Sequence, residues 1–331
     1  MRQPALIKRY FPIFVTIAIF IVAGLIYLDK KNTDFSPYVD LTLNVHWDQD
    51  SHDFEPVDLV RASDEADVGG YHLGFITDAG KCNPAWGGQP DFSVYHEWAK
   101  HAIEAVIANE VEVTITLGNR NGIDISAACT NKELFIAYEN IVHIYQPRRL
   151  DFDIENNTAN VEKIISVLTQ LKETHPNVKI SFTLLTLPEK LLPYSENVLR
   201  AAKAANLDYS VNLLVMNYGP SYPGNMAHYA IQASEYLHDF LQNMYPQKTK
   251  VAIWRMVELT PMIGLNDVAG EQFTLQDADT ITNFAKHFNL GGTSMKLANR
   301  DFPCAMNTVT NYCSGNNLQT KPYEFETHFL K

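Results

Sequence analysis

Positive charge is in short supply in this chain of 331 residues: Lys and Arg total 26 against 38 Asp and Glu, a formal charge of −12. A nucleic-acid partner is not expected, because no surplus of cations is available to displace counterions from a phosphate backbone. Gly and Pro, at 16 each, are too few for a collagen-like or low-complexity chain. Charged residues are only 19% against 46% apolar, which excludes intrinsic disorder and supplies a sizeable core. Cysteine is scarce too. Cys82, Cys129, Cys304 and Cys313 contain no CxxC pair and no accompanying His at zinc spacing. The His residues form neither HExxH nor an i,i+4 pair, and no GxGxxG follows the first strand pattern. Neither a metal nor a cofactor is expected.

What the chain does have, at its start, is one long apolar run. Tyr10 to Leu28 carries no charge and, as a helix, spans about 28 Å, close to the hydrocarbon core of a bilayer. Arg2, Lys8 and Arg9 precede it, while Asp29, Lys30 and Lys31 follow. Residues 1–9 form a basic flank and 10–28 a transmembrane signal anchor with the N-terminus inside. A cleaved signal peptide, with an apolar region from Pro12 to Val22 and cleavage near Gly24, is the competing reading. A buried core helix fits poorly, because the run is apolar on all sides. Residues 29–37 are a linker. Either leading reading places the remainder outside the cytoplasm, periplasmic or secreted, and the even cysteine count allows two disulfides there. Of the three possible pairings, Cys82–Cys129 joins neighbouring loops and Cys304–Cys313 closes a short segment, so these are expected.

From Tyr38 on, apolar and β-branched runs alternate with amphipathic segments. Strands are expected at Tyr38–Val45, Tyr71–Thr77, Val111–Gly118, Arg149–Glu155, Val178–Thr186, Tyr209–Tyr218, Met256–Ile263 and Gly291–Leu297. Helices fall between them, at Val94–Asn109, Asn131–Tyr145, Asn160–Thr174, Glu189–Ala205, Met226–Asn243 and Thr274–Phe288. Eight strands with intervening helices make residues 38–331 one α/β domain, a (β/α)8 TIM barrel that is expected to act as a monomer. An open doubly wound sheet is the alternative.

The fourth strand carries the chemistry. In Arg149-Leu150-Asp151-Phe152-Asp153-Ile154-Glu155, alternation puts Asp151, Asp153 and Glu155 on one face and the apolar residues on the other. Three inward acids on a buried strand are costly as a purely structural choice. Their spacing of about 6.7 Å is long for one shared cation. Like charges so close cannot all ionise, so Asp151 and Asp153 are expected to share a proton. Glu155, at the C-terminal strand end where barrel active sites lie, is placed to be a general acid.

Asp151 to Glu155 resembles the end of the DxxDxDxE signature of glycoside hydrolase family 18, the chitinases. Cys82-Asn83-Pro84-Ala85-Trp86-Gly87-Gly88 is similar to the loop after strand two in a bacterial branch, and Thr116-Leu117-Gly118 to the end of strand three. Val211 to Gly219, with Met216, Asn217 and Tyr218, is similar to the strand-six motif. Thr260 to Asp267, with Met262 and Asn266, and Asn299-Arg300-Asp301 resemble the ends of strands seven and eight. The resemblance covers residues 36 to 304. It implies substrate-assisted, retaining cleavage of β-1,4-linked N-acetylglucosamine polymers or oligosaccharides. Glu155 would protonate the glycosidic oxygen, Asp153 would orient the 2-acetamido group that attacks the anomeric carbon, and Asp151 would tune Asp153.

Several positions depart from the family pattern. Arg148 stands at the first Asp of the signature and Asn119 at the second Gly of SxGG. Asn217 replaces the usual strand-six Asp, with Met216 where other branches have Tyr, and Lys296 replaces the strand-eight Trp that floors the −1 sugar site. An ammonium there is expected to pair with Asp153 or Glu155, and the two losses at Asn217 and Lys296 are expected to weaken or alter activity. Trp86 and Tyr222, on loops after strands two and six, are candidates to line the sugar cleft, as is Trp47. Trp98 and Trp254 fall in helical patterns and are assigned to core packing. An endo-β-N-acetylglucosaminidase and a non-catalytic sugar-binding lectin are the alternative functions.

Overall fold

Runs of Val, Ile, Leu and Thr favour a pleated, two-sided-buried environment, and here they supply a ring of parallel strands. The computed structural model describes residues 35–48 and 53–331; the apolar N-terminal run lies outside them. Among the described residues no helix is long and apolar enough to cross a membrane. The ring strands are β1 (Tyr38–Asp40), β2 (Gly70–Asp78), β3 (Glu112–Gly118), β4 (Arg149–Ile154), β5 (Lys179–Leu187), β6 (Ser210–Leu214), β7 (Val257–Thr260) and β8 (Gly292–Thr293). Neighbours in the sheet follow chain order. The sheet curls until its ends meet. Phe35 bridges Thr293 in parallel, Ser36 N donates to Thr293 O at 3.0 Å, and Tyr38 N donates to Met295 O at 3.0 Å.

A helix follows each strand: α1 (Leu59–Ala66), α2 (Lys100–Ala108), α3 (Asn131–Tyr145), α4 (Val161–Thr174), α5 (Pro193–Ala204), α6 (Met226–Met244), α7 (Leu275–Phe288) and α8 (Glu324–Phe329). Their starts are written in the sequence. Thr130 and Glu133 form a reciprocal capping box on α3, Thr274 and Asp277 another on α7, and the Asn160 side chain caps α4. On α4, Val161, Ile164, Ile165 and Leu168 are buried, the apolar stripe that the sequence spacing requires. The outward side chains of β4 join this layer: Phe152 packs edge-on against Tyr138 of α3, with ring centres 5.4 Å apart.

All eight expected strands are present, most of them shorter than the sequence pattern. The strand-six pattern runs to Tyr218, but hydrogen-bonded strand stops at Leu214, and Asn217 turns to a left-handed φ of 54°. Among the described residues four helices were not expected, α1, α8 and the short Ile125–Ala128 and Lys250–Trp254, each of about two turns or less and thus with little periodicity to read. A hairpin of His46–Asp48 and Asp53–Glu55 also departs from expectation, as it occupies part of the segment after β1.

The loop after β2 brings the clearest correction. Pro84–Trp86 folds back as an antiparallel strand on β2, with Trp86 opposite Ile76, and Gly87 and Gly88 follow at φ of 61° and 66°. Trp86 is therefore fully buried rather than lining a sugar cleft. Its Nε1 donates to Tyr145 Oη at 3.0 Å and its ring sits against Tyr145 and Trp98. Trp98 and Trp254 pack in the core as expected, the latter stacked on His238. Trp47 lies on the outer hairpin, 48% exposed and edge-on to Phe54. Cys82–Cys129 and Cys304–Cys313 are the disulfides, as expected.

Gly118, at the end of β3, has a φ of 88°, and a β-carbon there would lie 2.3 Å from Asp153 O. Backbone-to-backbone approach leaves that carbon no room. Gly118→Ala is expected to cost about 1–3 kcal/mol by clash and strain and to push β4 off its register. A fall of several degrees in melting temperature with loss of activity checks this.

Candidate active site

Asp151, Asp153 and Glu155 point to the ring interior or its mouth, as strand alternation requires. Asp151 is fully buried and saturated with donors. Ser181 Oγ donates to it at 2.7 Å, Thr183 Oγ1 at 2.9 Å, Tyr38 Oη at 2.9 Å and Thr116 Oγ1 at 3.3 Å. Burial, then the charges of Asp151 and Asp153, push the Tyr38 phenol well up, so it stays a donor. Asn212 Nδ2 donates to Tyr38 Oη at 2.9 Å, and Asn212 Oδ1 accepts from Thr260 Oγ1 at 2.8 Å. Thus β1, β3, β5, β6 and β7 all hold the centre of β4.

Asp153 differs in kind. It is 2% exposed, and its Oδ1 has no hydrogen-bond partner among the described residues. Burial drives its carboxyl well above the usual range; Glu155 and Asp151 add to this, and Lys296 opposes it. Asp153 contacts Glu155 and keeps one oxygen free to accept. Glu155 itself, 6% exposed, is ion-paired: Lys296 Nζ lies 2.9 Å from Glu155 Oε1. The expected ammonium in the cavity is present, and its partner is Glu155. Burial alone would lower the Lys296 ammonium, but Glu155 and Asp153 outweigh it and raise it, so it is charged.

The strand-six and strand-seven ends meet beside this group. Met216 and Met262 pack together with Leu214 on the rim, and Met262 bridges Lys296 along the backbone. Asn217 is tied to Asp267 twice: its Nδ2 donates to Asp267 Oδ2 at 3.0 Å, and Asp267 N donates to its Oδ1 at 2.9 Å. Its Nδ2 also faces Met262 Sδ at 3.8 Å. Tyr218 is buried, with ring centres 5.8 Å from Tyr222 and 6.0 Å from Tyr229. Tyr222 donates to Glu189 at 2.8 Å and packs against Tyr218 and Tyr229, whereas Trp86 is buried away from any cleft. Asn266 is buried and turned to the backbone, its Nδ2 donating to Met262 O at 2.9 Å and Gly264 O at 3.1 Å; it shapes the loop.

The sequence reading missed four residues that shape this region: Tyr38, Asp267, Arg120 and Glu271. Glu271 is buried and its Oε1 accepts from Gly219 N at 2.7 Å, fixing the turn after Asn217. Asp267 ends the Thr260–Asp267 motif, but no local spacing ties it to Asn217, 50 residues earlier. Arg148 pairs with Glu112 on the exposed opposite end of the ring and takes no part. Asn119 is half-buried, its carbonyl accepting from Asn156 Nδ2 at 2.7 Å. Among the described residues no group of His, Cys, Asp and Glu could hold a metal ion.

Chemically, one buried acid of raised proton affinity beside an ion-paired one suits proton delivery next to an oriented polar group. No family model matches the chain. It is 30% identical to a probable bifunctional chitinase/lysozyme of Escherichia coli K12, over 89% of this chain and 34% of that protein. It is 31% identical to endochitinase 11 of Metarhizium anisopliae, over 84% of this chain and 54% of that protein. The chain thus spans about a third to a half of the length of the curated relatives it matches. Among solved structures, the catalytic domain of a hyperthermophilic chitinase from Pyrococcus furiosus aligns with a TM-score of 0.80 and 27% identity, covering 90% of this chain and 96% of that one. A catalytic-site mutant of active domain 2 of the chitinase from that organism, complexed with chito-oligosaccharides, aligns at 0.79 with 27% identity, covering 89% and 93%.

Proposed function

We propose that the chain belongs to glycoside hydrolase family 18 and is a glycosidase that hydrolyses β-1,4 linkages between N-acetylglucosamine units. The observation that carries this is the Asp153–Glu155 pair at the mouth of β4: one carboxyl drawn toward protonation with an unoccupied acceptor oxygen, the other at the strand end. Asp153 Oδ1 accepts the N–H of the 2-acetamido group and turns its carbonyl oxygen under the anomeric carbon. The Asp153 proton passes to Glu155 as Lys296 withdraws, the acetamido oxygen attacks as Glu155 delivers that proton to the departing glycosidic oxygen, and an oxazolinium ion forms beside the Asp153 carboxylate. Glu155, now a base, takes a proton from water, which opens the ring with net retention. Asp151, held by four hydroxyls, fixes Asp153 and contributes to its raised proton affinity.

Two features temper the rate. Lys296 Nζ must leave Glu155 Oε1 before the proton can pass, and Asn217 offers an amide where a carboxylate would stabilise the oxazolinium ion. The two disulfides and the apolar N-terminal run support an extracytoplasmic, anchored or secreted barrel. Incubating the barrel with chitopentaose is expected to give shorter oligosaccharides whose newly formed reducing ends are initially β by proton magnetic resonance. No shortening, or α products at first, would overturn the reading.

A further inference from the structure

Two ion pairs cross the mouth of the ring. In a closed ring of eight strands, β4 and β8 face each other, and so do β3 and β7. Lys296, just after β8, meets Glu155, just after β4, at 2.9 Å, with side chains only 20% and 6% exposed. Arg120, two residues after β3, reaches Asp267, beyond β7: Arg120 Nη1 lies 3.8 Å from Asp267 Oδ2, and these side chains are 64% and 49% exposed. Two diameters of one ring intersect at its axis, so one pair lies over the other, and the exposed pair is the outer one. The Asp267 charge is felt at Lys296, as this stacking requires.

Both ends of the outer pair are fixed to residues of the site. Asn156, next to Glu155, donates through Nδ2 to Asn119 O at 2.7 Å and to Arg120 O and Gly122 O at 3.3 Å, which fixes the loop carrying Arg120. Asn217 holds Asp267 from both sides. The link itself is long and solvated, the kind of pair that adds little stability and is screened by salt.

We infer that Arg120 and Asp267 set the entry specificity of the site: they form an outer bar that a neutral sugar chain must part before it reaches Lys296 and Glu155. This rests on the glycosidase reading for its substrate, so one arm of the test does without turnover. In a Lys296→Cys variant the new thiol is the single free one, because Cys82, Cys129, Cys304 and Cys313 are all bonded. Iodoacetamide, a neutral reagent, is expected to label it two- to fivefold faster once Arg120→Ala is added at low salt. Raising the salt is expected to speed labelling when Arg120 is present and to leave the Arg120→Ala protein unchanged. Equal rates in all four conditions would overturn the bar. In the otherwise native chain, Arg120→Ala is expected to lower KM for chitopentaose about two- to fivefold at low salt with kcat unchanged, while Arg120→Lys keeps the salt dependence. A KM that rises or does not move would overturn it too. Absence of any turnover sinks the glycosidase reading, and the labelling still decides the bar.

Discussion

Glu155→Gln is expected to lower kcat on chito-oligosaccharides by about 10²–10⁴, the range that a positioned general acid contributes. The amide keeps the size of the side chain and still accepts a hydrogen bond from Lys296 Nζ, so oligosaccharide binding and the fold are expected to persist. Removing the Glu155 charge also removes part of what drives the Asp153 carboxyl up, and Lys296, which favours the Asp153 carboxylate, loses its nearer partner. Asp153 is therefore expected to titrate lower in the variant. Initial rates on chitopentaose, with binding by calorimetry and a melting curve on the same protein, check this. Turnover at the native rate would mean that the proton comes from elsewhere.

The largest effect on stability is expected at the opposite end of the ring. Arg149 Nη1 contacts both carboxylate oxygens of Glu258 at 2.8 Å, joining β4 to β7 across the interior, and the side chains are only 16% and 7% exposed. Glu258→Ala leaves a buried guanidinium without its counter-charge, which typically costs about 3–5 kcal/mol. A double Arg149→Met, Glu258→Leu variant, which removes both charges, is expected to recover most of that loss. The pair also sets a pH dependence. Burial alone would raise the Glu258 carboxyl, but Arg149, His72 and Ser210 outweigh it and hold it below its ordinary value of 4.5. A depressed carboxylate stabilises the fold fully above its unfolded value, and this contribution is lost as pH falls through the folded one. Denaturant midpoints at pH 7 and at successively lower pH below 4.5 are expected to converge for the native and Glu258→Ala proteins, while the double variant lacks this acid-dependent loss.

The acids of β4 were legible because a strand has period two: Asp151, Asp153 and Glu155 could share a face in only one way. Helix starts at Thr130, Asn160 and Thr274 were legible because capping is local. Trp86 was not, because a tryptophan in a loop looks the same whether the segment spreads over the cleft or folds back. Its burial is decided by pairing with β2, turned at Gly87 and Gly88. The Lys296–Glu155 pair was foreseen in outline, since replacing a floor residue by a cation beside acids leaves few partners. Asn217–Asp267 and Arg120–Asp267 were not, because residues 50 and 147 positions apart meet only when the ring closes.

The hydroxyl cluster around Asp151 also constrains how the chain can be assembled. Tyr38 lies 113 residues from Asp151 and 174 from Asn212, yet one phenol oxygen serves both. A nascent chain emerging from its N-terminus therefore cannot complete this cluster until β6 has left the ribosome. The seam at Ser36 and Tyr38 waits longer still, for Thr293 and Met295. Until then β1 has an unpaired edge open to the wrong strand. With so many contacts between distant parts of the chain, final closure is expected to be the slow step of folding.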